Sequence, residues 1–188
     1  MGSNKITKMV NDISLISRII VFKDLKAFDL LVKKYQSPVR LFFLHLTMGN
    51  KFLSDDLAQE TFIRVYLHLS RFNNISGFKA WFFRIAYNIY IDHIRNNKQT
   101  TELSENNTIN IISDAKSKHI ENQLDIYKAL KILKEEERTC ITLFYLEDIS
   151  LNNISAITAI PVNTVKSHIM RGKNKMYSFL NENGYNGK

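Results

Sequence analysis

Cysteine and proline are almost missing from this chain: its 188 residues include one cysteine, Cys140, two prolines, Pro38 and Pro161, and six glycines. A lone thiol can form no internal disulfide and offers no cysteine-based metal site, so Cys140, in an apolar helical context, is read as a small buried hydrophobe. Five histidines, at 45, 68, 93, 119 and 168, lie too far apart for ligand spacing. A glycine-rich phosphate loop and a nucleophile with an adjacent base are both wanting, so neither an enzyme nor a cofactor is expected. No window reaches the roughly 18 uncharged apolar residues of a membrane helix, and Met1 to Lys8 lack the apolar centre of a secretory signal. The protein is accordingly expected in the cytoplasm.

Positive charge is what the chain has in excess, with a net +8. Residues 1 to 100 hold 15 Lys/Arg against 7 Asp/Glu, residues 101 to 125 hold 2 against 5, and residues 126 to 188 hold 9 against 6. Two basic segments therefore flank an acidic one. Basic surface of this kind suits a polyanion, either nucleic acid or a membrane face. Lipid-binding basic helices keep a continuous exposed apolar face, whereas here that face is needed for packing.

With so few breakers, apolar residues recur at three and four, the helical period, and few strands are expected. A first helix begins near Asp24 with Phe28, Leu31 and Tyr35 on one stripe. Ser37-Pro38 reads as the start of a second helix carrying Val39, Phe42, Phe43 and Leu46, and Gly49-Asn50 closes it. Ser54-Asp55-Asp56 is the expected opening of a third, over 54 to 69. The polar run Asn73 to Gly77 is a loop, followed by a long helix from Phe78 to Asn97. Residues 98 to 120 lose periodicity and are rich in Asn, Thr and Ser, which predicts a flexible linker between two modules. Helices through Leu124 to Leu133, Glu135 to Leu146, Leu151 to Ile157 and Asn163 to about Leu180 complete the second module, with Ser150 and Asn163-Thr164 as caps.

The last two helices have the spacing of a bihelical unit, with Ile149, Ile154, Ile157, Ile160, Val165, Ile169 and Met176 facing inward. The outer face of the last helix then displays Asn163, Thr164, Lys166, Ser167, His168, Arg171, Lys173 and Lys175. Between Pro161 and Ser178 there are four Lys/Arg and no acid. A polar N-terminal half for base edges and a cationic C-terminal half for phosphates is what a recognition helix in a major groove requires.

TVKSHIMRGKNKM, residues 164 to 176, resembles the recognition helix in domain four of bacterial sigma-70 family sigma factors, above all the extracytoplasmic-function (ECF) group, whose pattern is similar to T-V-K-S-R-x-x-R-A. The helix-turn-helix region departs from the family at four residues: Ala159 replaces a turn glycine, His168 an arginine, and Asn152-Asn153 an aromatic-acidic pair. Across the linker, Ser54-Asp55-Asp56-Leu57-Ala58-Gln59-Glu60-Thr61-Phe62 is similar to the family's D-L-x-Q-E-x-F segment. The resemblance implies that Asp56, Gln59 and Glu60, on one helical face, bind a coiled coil of core RNA polymerase. Phe78-Lys79-Ala80-Trp81 through Arg95 is similar to the family's F-R-T-W-L-x-R-I-A-x-N-x-x-x-D-x-x-R helix, which implies minus-10 recognition and capture of a flipped base. Asn88, Asp92 and Arg95, at spacings four and three, share a face for that task, while Trp81, Phe82 and Ile85 are read as core.

The expected protein is all-α: two small helical modules joined by a flexible linker, the C-terminal one containing a helix-turn-helix. The resemblance places a polymerase-binding and minus-10 module at 24–98, a linker at 99–120 and a minus-35 module at 121–181, between an N-terminal segment 1–23 and a tail 182–188. It further implies promoter DNA and core RNA polymerase as partners, and an anti-sigma factor, in such proteins often membrane-anchored. The acidic linker, with Glu102, Glu105 and Asp114, is a candidate mimic of nucleic acid in the polymerase exit path. The alternative is a stand-alone helix-turn-helix regulator whose first module binds a ligand or dimerises.

Overall fold

The computed structural model describes residues 3–73, 77–101 and 126–184, with side chains at 12–73, 77–97 and 126–184. Every regular element among the described residues is helical. The segment expected as a linker lies outside them from residue 102 onward, as do residues 74–76 of the polar loop.

Helix α1 (Ser3–Phe22) occupies the segment expected to precede the first module, and it buries Leu15, Ile16 and Ile19, a three-four stripe, in the core. Lys23, at φ 53°, turns the chain, and Asp24 caps α2 by accepting from the Lys26 and Ala27 amides at 2.9 and 3.1 Å. Helix α2 (Leu25–Leu46) then runs straight through Pro38, so the expected break at Ser37-Pro38 is absent. The magnitudes explain this correction. An interior proline costs roughly 3 kcal/mol, but Leu31, Val39, Phe42 and Leu46 are each wholly buried along one continuous stripe. Each such side chain contributes about 1.5–3 kcal/mol, so burial outweighs the lost hydrogen bond.

Met48 (φ 55°) and Gly49 (φ 90°) end α2. Gly49 is required twice over, by its conformation and because a Cβ there would stand 3.2 Å from the Tyr127 ring. Asn50 caps helix α3 (Lys51–His68) by accepting from the Leu53 amide at 3.1 Å, a turn earlier than the expected start at Ser54. Ser54 is fully buried inside the helix, its hydroxyl donating back to the Asn50 carbonyl at 2.6 Å. Two capping signals compete in this stretch, and the residue that follows the Gly49 turn takes the role.

Helix α4 (Phe78–Thr101) begins after a 3₁₀ turn at Leu69–Arg71 and runs three residues past the boundary expected at 98. Its inner face is aromatic. Phe82 lies 4.8 Å from Tyr35 and 5.6 Å from Phe83, which in turn meets Phe42 at 5.2 Å, in tilted and edge-to-face pairs.

In the second module, α5 (126–131) leads to α6 (Glu135–Ile141), which continues as a π-helical turn at Thr142–Leu146. Helix α7 (Leu151–Thr158) is capped by Ser150, and Ala159, at φ 58°, takes the place of a turn glycine. Helix α8 (Val162–Glu182) is preceded by Pro161, so Asn163 and Thr164 lie within its first turn and are not its caps. Pro161 holds an extended ψ of 142°, which stops the helix propagating backward and fixes the start at Val162.

The two modules pack into one core. Cys140, Leu143, Ile149, Ile154, Ile157, Val165 and Ile169 belong to the same apolar cluster as Phe42 and Phe83, while Leu130, Leu133 and Ile141 form a smaller one. Polar contacts cross the junction as well. Arg138 donates to the Leu130 and Leu133 carbonyls, both at 3.0 Å, and to Leu46 at the end of α2, at 3.1 Å. Lys79 on α4 pairs with the Glu147 carboxylate at 3.1 Å. Burial pushes the Glu147 carboxyl up, and the Lys79 ammonium opposes it.

Candidate nucleic-acid and partner interfaces

Helix α8 is held from below and open above. Val165 and Ile169 are buried, and Gly172 lets α8 approach α6 so closely that a Cβ would lie 2.5 Å from Ile141 Cδ1. On the opposite face Asn163, Thr164, Lys166, Arg171 and Lys173 are exposed, with Ser167 and His168 half-buried beside them. The Ser167 hydroxyl donates to the Asn163 carbonyl at 3.0 Å. Lys175, expected on this outer face, turns to α6 instead and donates to Glu137 at 2.7 and 3.1 Å. The cause is electrostatic: Glu137 is 2% exposed, and a buried carboxylate needs a cation. Burial pushes its carboxyl up, but the Lys175 ammonium, the Lys134 amide and Arg171 outweigh this and hold it below its ordinary range.

On α4, Asn88 and Arg95 are exposed and Asp92 is half-buried. Asp92 accepts from Arg64 of α3 at 3.3 Å, and the same guanidinium donates to Glu60 at 2.7 Å. One arginine thus ties a residue expected to meet DNA to one expected to meet polymerase. The Glu60–Arg64 pair is visible in sequence as an i,i+4 pair, whereas Asp92 lies too far along the chain for any local signal.

Asp56 and Gln59 are exposed on α3, in line with the exposed apolar residues Phe52, Ile63 and Leu67. Ile63 and Leu67, with Phe28, Phe62 and Tyr66, line a shallow apolar groove. Bare apolar surface beside acceptors is the make-up of a protein-docking face. Among the described residues no group of three or more His, Cys, Asp or Glu is placed to hold a metal, and no helix is long and apolar enough to cross a membrane.

Comparison with known proteins agrees with both halves of this arrangement. Residues 31–100 match Sigma-70 region 2 and residues 123–176 match Sigma-70, region 4. A helical protein with these two regions in this order is a promoter-specificity subunit of RNA polymerase. The chain belongs to the sigma-70 family, in its ECF group.

Among its relatives is the ECF RNA polymerase sigma factor SigW of Bacillus subtilis (strain 168), 34% identical over 148 residues, covering 72% of this chain and 79% of that protein. SigM of the same organism is 29% identical, covering 81% of this chain and 94% of the relative. The ECF sigma-E factor of Escherichia coli (strain K12) is 32% identical, covering 80% and 84%. Two solved structures share the fold. The sigma factor RpoE of Bartonella quintana, in complex with the anti-sigma factor NepR, superposes with a TM-score of 0.73 at 24% identity, over 83% of this chain and 98% of that one. CnrH, in complex with the cytosolic domain of CnrY, gives 0.67 at 20% identity, over 93% and 97%. Sigma factors are transcription initiation factors without enzymatic activity of their own.

Proposed function

We propose that this ECF sigma factor divides its work among three faces. Residues 24–98 form the module that binds core polymerase through Asp56, Gln59 and Glu60, and reads the minus-10 element through Asn88, Asp92 and Arg95. Residues 121–181 form the minus-35 module. There Asn163, Thr164, Ser167 and His168 meet base edges, and Lys166, Arg171 and Lys173 supply the cationic side. The observation that carries this reading is α8 itself, a helix anchored by Val165, Ile169 and Gly172 that presents a mainly polar and basic face, with the exposed apolar Met170 among those residues. Each module is weak alone, and tethering on one polymerase makes them act together.

The chain works where the polymerase is, in the cytoplasm, and has no catalytic site of its own. Its regulation is by an anti-sigma factor, the kind of partner named for the structural neighbour RpoE.

The test is co-elution with purified core RNA polymerase, followed by run-off transcription from fragmented genomic DNA. Co-elution with new start sites is the expected result. A double substitution, Gln59→Ala with Glu60→Ala, should weaken co-elution about tenfold or more while leaving duplex binding by the isolated protein intact. Duplex binding without any association with polymerase would instead indicate a stand-alone regulator.

A further inference from the structure

The chemistry of three residues on α6 and α8 goes further than the division of labour above. Arg171 Nη2 stands 3.2 Å from Nδ1 of His168, one turn back along α8. A guanidinium has only donors. Nδ1 must therefore accept, which places the ring's single proton on Nε2. Behind Arg171, its Nε lies 3.8 Å from Glu137 Oε1. That carboxylate cannot drift: its side chain is 3% exposed, and its oxygens accept from Lys175 at 2.7 and 3.1 Å and from the Lys134 amide at 3.1 Å. A buried anion thus lies behind a half-exposed guanidinium at ion-pair distance, and the guanidinium in turn contacts a half-buried imidazole on the polar face of α8.

We propose that Glu137, Arg171 and His168 form a relay that sets part of the promoter sequence read by this protein. His168 presents a neutral Nε2–H donor to an acceptor on one base edge in the major groove: purine N7, guanine O6 or thymine O4. Cytosine shows a donor there, so the position discriminates against cytosine and tolerates the other three bases. Glu137 and Arg171 are positioning residues, acting on the base through His168. An arginine at 168 would give two parallel donors and grip guanine; a single fixed donor reads more loosely.

The inference rests on α8 as the recognition helix, and its tests separate the two ideas. Long-range proton–nitrogen NMR of the full-length protein, with His168 assigned by comparison with His168→Gln, should show Nδ1 unprotonated at pH 8. In Arg171→Gln the signal should move to a tautomer mixture. In the holoenzyme, run-off from a promoter with a randomised minus-35 element should show one position where cytosine is disfavoured about fivefold to tenfold. His168→Ala should flatten that position. Arg171→Lys, which keeps the charge but not the planar fork, should flatten it too, leaving the salt dependence of binding unchanged. Glu137→Gln should weaken the discrimination about two- to threefold. The relay is overturned if the tautomer is the same with and without Arg171. It is equally overturned if the cytosine penalty survives in Arg171→Lys and Arg171→Gln while all sequences lose activity together, the mark of a simple phosphate contact. A minus-35 preference insensitive to every substitution on α8 would sink the recognition-helix reading itself.

Discussion

The two helices that carry the DNA-contact candidates are held in place by different means. Helix α4 is set by bulk, with Phe82 and Phe83 wholly buried among Tyr35, Phe42 and Phe62. Helix α8 is set by a few points, namely Val165, Ile169, a glycine pressed on Ile141, and the Lys175–Glu137 pair. Interdigitated aromatics spread the placement of α4 over many contacts, so swaps that conserve volume there leave its position intact. A helix seated on two aliphatic side chains, a close-packed glycine and one ion pair has less of that redundancy. Modest changes at those points should move its outer face without unfolding the protein.

Phe83→Ala is the most severe challenge to α4. It removes a fully buried ring from the core shared by both modules and should cost about 3–5 kcal/mol, with polymerase and DNA binding lost together in a chemical denaturation series. If DNA binding fell while stability held, α4 would be set by points as α8 is.

Next in size is a pH effect at the joint between the modules. His45 is 7% exposed, its Nδ1 has no hydrogen-bond partner among the described residues, and its ring centroid lies 6.0 Å from that of Tyr127. Burial pulls its pKa down to about 4 from 6.5. The unfolded chain binds this proton near pH 6.5 and the folded chain resists it, so folding stability is intact above pH 6.5 and falls as the pH drops toward 4. The loss is about 3 kcal/mol, and it should disappear from the acid limb of a melting profile in His45→Phe.

Gly172→Val tests α8 directly. Its side chain would meet Ile141, and the overpacking should cost about 1–3 kcal/mol. The expected signature is selective, with minus-35 duplex binding reduced well beyond the loss of stability and polymerase co-elution unchanged. The smallest effect should come from Arg64→Ala, whose partners Glu60 and Asp92 are both partly solvent-exposed. Such pairs contribute about 0–1 kcal/mol, so stability should barely move. A double-mutant cycle between Glu60→Gln and Asp92→Asn, read as transcription by the holoenzyme, would show whether Arg64 couples the two faces.

The helical nature of the protein, its helix-turn-helix and the inward residues Ile154, Ile157, Val165 and Ile169 were all legible as three-four spacing. What escaped the sequence did so for identifiable reasons. Pro38 looks like a helix start because local propensity cannot register a buried stripe that continues on both sides of it. Asn50 and Ser54 are both good caps, and only the turn at Gly49 decides between them. Arg64 to Asp92, Lys79 to Glu147 and Arg138 to the Leu46 carbonyl join residues far apart along the chain, and nothing local announces such partners. The inward turn of Lys175 is hidden for a related reason, since helical periodicity gives a direction but not the acid, Glu137, waiting there.

Cys140 is the only thiol in the protein, it is wholly buried in the core shared by the two modules, and burial pushes its pKa up to about 12. A protonated, enclosed sulfur reacts with an alkylating reagent only during moments when that core comes apart. Because no second thiol competes, the rate of alkylation is a clock already fitted to the molecule, timing how often its halves part before any polymerase, promoter or regulator arrives.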